Sequence, residues 1–304
     1  MVDIIIVNYN AGQYLLDCIV AALKSTIPVN IIISDNGSCD NSLSLLESKI
    51  SDPRLLIVKN QANLGFAKAN NKVLHYTKYP YILFLNPDCI IEPTTLESLI
   101  QEMEKFNDIG MAGCLIQNLD GTEQEGCRRN IPTPWTAFIR AFGIKKLIQY
   151  LPKSFHSKYV NDFTLSNLAL PEKPVFVEAI SGAFMLVKRR ILETVGTWDE
   201  GYFLHCEDLD WCMRIQQANY KILFVPTIKI MHIKGACSQT KPFFVQWHMH
   251  KGMIRFYRKF FTHQYSIFLR YAVFSAICLR FLGIVCLALF DKLKRKKKTF
   301  IKHN

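Results

Sequence analysis

Over its first 110 residues the sequence switches repeatedly between a short aliphatic run and an amphipathic stretch, and that rhythm restricts the fold more than any other feature. Strand-like runs are predicted at 2–8, 29–34, 54–58 and 80–86, and helix-like stretches near 11–25, 40–50, 64–76 and 93–106. Short apolar strands alternating with helices build βαβ units, hence an α/β fold with a mixed, mostly parallel sheet flanked by helices. Ligands of such sheets bind at the carboxyl ends of the strands. The polar residues directly after strands therefore matter most: Asn8-Tyr9-Asn10, Asp35-Asn36-Gly37-Ser38 and Asn86-Pro87-Asp88.

Beyond residue 110 the rhythm loosens. Strands are predicted at 175–179, 183–188, 221–225 and 228–232, with a helix beginning near 206. Residues 128–161 hold seven Lys/Arg and no Asp/Glu, a surface suited to an anionic group or simply to solvent or membrane. Two aromatic-rich helices are predicted at 243–262 and 264–290. Arg270 and Arg280 interrupt the second, leaving apolar runs of nine and ten residues, short of the roughly 20 that a span needs. The expectation is a helix lying in or dipping into the interface with both arginines reaching the headgroups, and a true span is the alternative. A basic tail follows: residues 291–304 carry seven of the 37 Lys/Arg and one of the 25 Asp/Glu, about half of the net +12. A tail of this kind meets an anionic membrane surface on the cytoplasmic side better than a nucleic-acid groove. The expected division is a catalytic domain over 1–242 and a helical membrane-associating region over 243–304.

Ten cysteines show no C-x-x-C pair and read as reduced thiols, several of them in apolar runs as small buried hydrophobes would be. MVDIIIVNYN lacks a basic leader and reads as a first strand, not a signal peptide.

Each candidate site has an ordinary reading beside a chemical one. Asp35 belongs to a tight Asp-Asn-Gly-Ser turn; it is also placed to accept the N3–H of uracil or thymine, a proton that cytosine lacks. Asn63 and Gly65 precede a helix containing Asn70, with Asn63 the expected N-cap, and the free N–H groups of that terminus suit a phosphate. Asn86-Pro87-Asp88 is a strand-ending turn or a carboxylate for a hard divalent cation. In HCEDLDWCMR, 205–214, Asp210 and Arg214 are spaced for a helix-surface pair. Glu207 and Asp208 fall in the first turn, where the helix dipole favours the ionised form that a general base requires. His232 ends IKIMHIKG and would suit manganese better than magnesium.

Taken in order, VNYN, SDNGSCDNS, NLGFAKANN, YILFLNPDCII, SGAFMLVKR, GTWDEGYFLHCEDLDWCMR, VPTIKIMHIKG and WHMHKGMIRFYRKF resemble family 2 glycosyltransferases of the GT-A fold, over roughly residues 1–260. Within them the chain is most similar to bacterial rhamnosyltransferases of O-antigen and related surface polysaccharides. The resemblance implies a nucleotide-sugar donor (dTDP-L-rhamnose), a lipid-linked glycan acceptor, inversion by single displacement, and a divalent metal, Mg2+ or Mn2+. It implies that Tyr9 and Asp35 face the base, and that Asn63, Gly65, Asn70 and Asn86 lie along the nucleotide sugar. Asp88 matches the last acid of the DxD metal motif, whose first acid is Asn86 here. His232 matches a histidine near metal and diphosphate, and Asp208 the general base, with Glu207 second. The implied location is the cytoplasmic face of the inner membrane, peripheral or monotopic. Against these stand a UDP-sugar donor and a nucleotide-sugar-binding assembly protein without catalysis. NYNAGQY after the first strand is not the glycine fingerprint of a dinucleotide enzyme.

Overall fold

The computed structural model describes residues 1–134, 164–233 and 242–302, with side chains described as far as residue 288. Its contacts divide the chain into two units, Met1–Ile131 with Asp162–Thr240, and Pro132–Asn161 with Lys241–Asn304.

The first unit opens with the predicted alternation. Strands β1 (Val2–Asn8), β2 (Val29–Asp35), β3 (Leu55–Lys59) and β4 (Tyr81–Leu85) are parallel neighbours, with helices α1 (Gln13–Leu23), α2 (Ser42–Lys49) and α3 (Phe66–Val73) in the crossovers. Every residue of β1 is buried, as a strand covered by helices on both faces must be, and its Ile-Ile-Ile-Val run supplies that lining. The short strand β5 (Cys89–Ile90), helix α4 (Thr95–Glu104) and strand β6 (Ile109–Gln117) follow. Then come β7 (Arg128–Arg129), β8 (Val175–Val177), β9 (Ala179–Ile180), β10 (Phe184–Lys188), helix α5 (Arg190–Thr194), helix α6 (Glu207–Gln217) and β11 (Lys221–His232). The main sheet runs β3-β2-β1-β4-β10-β6-β11-β5, with β8 added to β11 and a separate β7–β9 ladder. It is mixed, because β10 lies antiparallel between β4 and β6.

Two local expectations change. The segments 221–225 and 228–232 form one strand, whose register against β6 slips between Val225 and Lys229. Pro226 sits in that slip, and with no N–H to give it cannot hold the ladder. The N-cap of α3 is Gly65, not Asn63.

At the amino end of the sheet a fully buried Asp3 carboxylate accepts the N–H groups of Lys78 and Tyr79 (2.6 and 2.5 Å), the Asn30 amide (3.1 Å) and the Arg189 guanidinium (3.1 Å). One anion thus joins β1, β2, the turn before β4 and the segment after β10.

The second unit contains helices α7 (Pro242–Phe260) and α8 (Ile267–Lys302). They meet through aromatic contacts such as Trp247–Phe281 and Tyr257–Phe274, with centroids 5.6 and 5.4 Å apart. Residues Ile267–Ala288 are long and apolar enough to cross a membrane. Each of the two arginines on this helix makes a contact inside the hairpin. Arg270 Nε donates to the Tyr265 carbonyl (3.0 Å), and Arg280 Nη1 to His250 Nε2 (3.1 Å). Cationic side chains bonded within the hairpin leave Phe268, Tyr271, Leu279, Leu282 and Leu287 exposed.

Replacing Asp3 with Ala leaves the Arg189 charge and two N–H donors without their acceptor, so a loss of about 3–5 kcal/mol is expected in urea unfolding; a change under 1 kcal/mol would show that the node is dispensable.

Candidate active site

The carboxyl ends of β1 and β2 carry the first cluster. Asp35 is buried, and its carboxylate accepts Asn8 Nδ2 (2.8 Å) and the N–H groups of Gly37 (3.2 Å) and Ser38 (3.1 Å). Two oxygens offer about four acceptor sites, so the turn leaves one for a further donor. Tyr9 follows β1 directly and is partly exposed. Asn36, Asn60 and Asn63 form an amide chain: Asn60 donates to Asn36 Oδ1 (3.0 Å), and Asn36 donates to Asn63 Oδ1 (3.3 Å) and the Gly65 carbonyl (3.0 Å). Asn63 Oδ1 also takes the Gly65 N–H (3.0 Å). Gly65 has φ +81°, and a Cβ there would lie 2.5 Å from the Phe203 carbonyl oxygen. Only glycine fits both the left-handed backbone and that approach. Asn70 is buried and donates to the Phe66 carbonyl (2.9 Å), while its Oδ1 has no partner among the described residues.

The second cluster explains why the chain turns polar at Asn86-Pro87-Asp88 and then apolar again. Cys89 and Ile90 form a two-residue strand against β11, pairing with His232 and Met231. That pairing sets the Asp88 carboxylate beside the His232 ring, Oδ1 to Nε2 3.1 Å. His232 Nδ1 lies 2.6 Å from Gln124 Oε1. The Gln124 Nε2 group donates to Asn118 Oδ1 (3.0 Å) and the His232 carbonyl (3.2 Å), so its oxygen is the acceptor. Nδ1 of His232 therefore donates to Gln124, and Nε2 faces Asp88. Asp88 Oδ1 is buried with no hydrogen-bond donor. Two acceptors facing each other at 3.1 Å need a proton or a cation between them. Cys89 is near both, but its thiol donates to the Ala183 carbonyl (3.5 Å) and is a poor partner for a hard cation. Asn86 Nδ2 is 3.5 Å from His232 Nε2, beside the pair.

The third cluster opens α6. The aromatic side chains of Phe66, Phe84, Trp198 and Trp211 pack with centroids 4.4–5.3 Å apart, clamping α6 to α3 and β4. Asp210 is not the surface partner expected. It is fully buried, accepts Arg214 Nε (2.6 Å) and the Tyr202 hydroxyl (3.1 Å), and anchors the preceding loop. Asp208 pairs with Arg129 and accepts the Gly182 N–H (3.2 Å) on Oδ2, while Oδ1 takes the Leu209 N–H (2.8 Å). Burial alone would raise its pKa, but the Arg129 charge and these hydrogen bonds hold it below the ordinary value. Glu207 has the opposite fate: burial, then the neighbouring Asp208 charge, push it up to about 8, and its Oε2 has no partner among the described residues. His205 and Cys206, just before them, both hold left-handed backbone (φ +70° and +72°), a strain of about 1–3 kcal/mol each.

These clusters are linked. The Asn86 N–H donates to the Ala183 carbonyl (2.9 Å), and the adjacent Gly182 N–H donates to Asp208. Phe66 N–H donates to the Phe203 carbonyl (2.9 Å), tying the Asn63–Asn70 segment to the approach of α6. Arg129, Gln124 and Gly182 escaped the sequence reading. A lone glutamine and one of two consecutive arginines carry no local signal, though SGAF before a strand was within the quoted motifs. Most of the basic stretch 128–161, and Cys237, lie outside the described residues.

The sequence matches the family model "Glycosyl transferase family 2" over residues 3–163. A curated relative from Mycobacterium tuberculosis (strain CDC 1551 / Oshkosh), named N-acetylglucosaminyl-diphospho-decaprenol L-rhamnosyltransferase, is 24% identical over 254 residues, covering 80% of this chain and 79% of the relative. Rhamnosyltransferase WbbL of Escherichia coli (strain K12) is 28% identical over 263 residues, covering 82% and 90%. Among solved structures, mannosyltransferase PcManGT from Pyrobaculum calidifontis, in complex with GDP-Man and Mn2+, aligns with 98% of this chain and 82% of its own, TM-score 0.56, at 12% identity. GalNAc-T7 with UDP, GalNAc and Mn2+ aligns with 85% and 47%, TM-score 0.59, at 18% identity.

The raised Glu207 has a consequence for stability. The folded chain keeps that proton until about pH 8, whereas the unfolded chain releases it near 4.5. The stability that the group contributes is present below the lower value and lost as pH rises through the upper one. Glu207→Gln removes that slope, so its melting temperature should gain on wild type between about pH 5 and pH 8.5; parallel curves would show that Glu207 is ionised in the folded chain.

Proposed function

Since the chain belongs to glycosyl transferase family 2, a glycosyltransferase of the GT-A fold, we propose that it moves L-rhamnose from dTDP-L-rhamnose, with inversion, onto a hydroxyl of a lipid-linked glycan in surface polysaccharide (O-antigen) synthesis. The observation that carries this reading is the Ser181-Gly182-Ala183 turn. Through hydrogen bonds of 2.9 and 3.2 Å it gathers the Asp88 loop and Asp208 at one edge of the sheet. The rhamnosyltransferase names of relatives covering most of the chain support the donor sugar. The name of the mycobacterial relative supports a lipid-diphosphate acceptor.

The donor would lie across the ends of β1 and β2. Tyr9 meets the base, and Asp35, with one acceptor site left, takes the N3–H of thymine. Asn63, Gly65 and Asn70 line the nucleotide sugar, the orphaned Asn70 Oδ1 serving as acceptor for a hydroxyl. The donor set at Asp88 fits a divalent cation, because a buried carboxylate oxygen without a hydrogen-bond partner and an imidazole nitrogen converge there, 3.1 Å apart. Asp88 and His232 would hold Mg2+ or Mn2+, which stabilises the charge on the departing diphosphate. Asn86 and Gln124 orient the histidine. Asp208, kept ionised by Arg129, takes the proton of the acceptor hydroxyl as that oxygen attacks the anomeric carbon and the diphosphate leaves.

The exposed apolar face of α8, with the basic tail beyond it, supports association with an anionic membrane on its cytoplasmic face. The division into a catalytic region over 1–242 and a membrane-associating one over 243–304 is part of the same proposal.

A donor screen with dTDP-rhamnose and UDP-sugars, with and without chelator, tests the reading; transfer only from a UDP-sugar would replace the donor while keeping the mechanism. Asp208→Asn should abolish transfer with donor affinity nearly intact, and a variant keeping a tenth of wild-type turnover would exclude this base. Asp88→Ala should weaken donor binding in the presence of metal and make it insensitive to chelator. Affinity equal to wild type under both conditions removes the metal role.

A further inference from the structure

The Arg128-Arg129 strand places two guanidiniums on opposite faces of one short ladder, and they do different things. Arg128 pairs with Glu123 through Nε and Nη2 (2.9 and 3.1 Å) and donates to the Leu168 and Ala169 carbonyls, a set of bonds that closes the loop around it. Arg129 turns the other way. Its Nη2 donates to the Ile180 carbonyl (2.6 Å) and to Asp208 Oδ2, and its Nε has no partner among the described residues. Its side chain is 12% exposed and that of Asp208 15%, so the pair stands largely out of water, where one charge strongly governs another.

We propose that Arg129 is a positioning residue for glycosyl transfer: it holds Asp208 by Oδ2 and leaves Oδ1 to receive the acceptor proton. The inference rests on the reading of Asp208 as base. Three features of the ladder support it. Arg129 pairs with Ala179 in β9, one residue from the Ile180 carbonyl it also grips, so its guanidinium is fixed from two sides. The Gly182 N–H, from the same segment, binds the same carboxylate oxygen at 3.2 Å. Oδ2 is thereby saturated by donors that belong to the frame, whereas Oδ1 takes only the N–H of its own neighbour, Leu209. Of the two carboxylate oxygens, the one with spare acceptor capacity is Oδ1.

The groups that act on Asp208 are few. Arg129 comes from β7; Glu207, Asp210 and the thiols of Cys206 and Cys212 belong to α6 and its approach. Asp210 is neutralised locally by Arg214, and burial raises both thiols, which stay protonated. Among the described residues, Glu207 is the one group competing with Asp208 for a proton. Without Arg129, two adjacent buried carboxyls would share one proton, and a base that holds a proton cannot take another.

The test is single-turnover transfer against pH for wild type, Arg129→Gln, Arg129→Lys and Gly182→Ala, with Asp208→Asn as reference and donor binding and melting curves for each. Arg129→Gln should bind donor like wild type, transfer about 100-fold more slowly at neutral pH, and show an acid limb moved to higher pH. Arg129→Lys keeps the charge and should recover much of the rate with the limb near its wild-type position. A Cβ at Gly182 would meet Asp208 Cβ at 3.3 Å, so Gly182→Ala should slow transfer while moving the limb less than Arg129→Gln does, since the Arg129 charge outweighs the Gly182 hydrogen bond. If Arg129→Gln does not fold, the contrast between Arg129→Lys and Gly182→Ala still decides: a limb moved further in the lysine variant than in the alanine variant overturns the proposal. So does an Arg129→Gln enzyme with wild-type rate and profile while Asp208→Asn is inactive. Activity retained in Asp208→Asn defeats the underlying reading instead.

Discussion

A tripeptide turn, Ser181-Gly182-Ala183, holds the candidate active site together through backbone groups alone. The Ala183 carbonyl takes the Asn86 N–H from the metal-motif loop and the Cys89 thiol, and the next residue back gives its N–H to Asp208. These are among the least replaceable contacts in the molecule, because no side-chain substitution supplies a backbone donor at that point. The turn leads straight into β10, the antiparallel strand between β4 and β6. That insertion converts a parallel sheet, which alone would offer one crevice, into a frame that brings a second set of acids to the first.

The same region concentrates the departures from comfortable structure. Two consecutive left-handed residues, His205 and Cys206, precede two adjacent carboxyls, and Asp88 Oδ1, Asn70 Oδ1, Glu207 Oε2 and Arg129 Nε are buried without hydrogen bonds among the described residues. Each such group destabilises the folded chain by about 1–3 kcal/mol or more when charged. The aromatic clamp of Phe66, Phe84, Trp198 and Trp211, together with the fully satisfied Asp210 and Asp3 nodes, offsets that strain from outside the site. Unsatisfied groups gathered at one sheet edge are what a binding surface for a charged, hydroxyl-rich ligand presents before the ligand arrives.

The helical second unit follows a different logic. Arg270 and Arg280 were expected to seek water, because an isolated helix offers no other partner. Arg270 finds the Tyr265 carbonyl just before its own helix, and Arg280 finds the His250 imidazole of α7. Counting charges along the sequence does not show these contacts.

The βαβ alternation, the polar strand ends and the ordered motifs were legible in the sequence because period and turn chemistry are local: Ile-Ile-Ile-Val makes a buried strand wherever it lies, and Asn-Pro-Asp ends one. From these the sequence by itself determined the layered sheet, the family and most of the candidate residues. It did not reveal that Asp210 is a buried anchor and Asp208 an arginine-paired carboxylate, since both occupy the same helical turn and differ only in what approaches from elsewhere. Nor did it single out Gln124, Gly182 or Arg129. Only the tertiary structure decided the burial that raises the Glu207 pKa and the contact of His232 Nδ1 with Gln124. A pKa and a hydrogen-bond direction depend on burial and on charges brought from distant positions, and chain folding alone sets those distances.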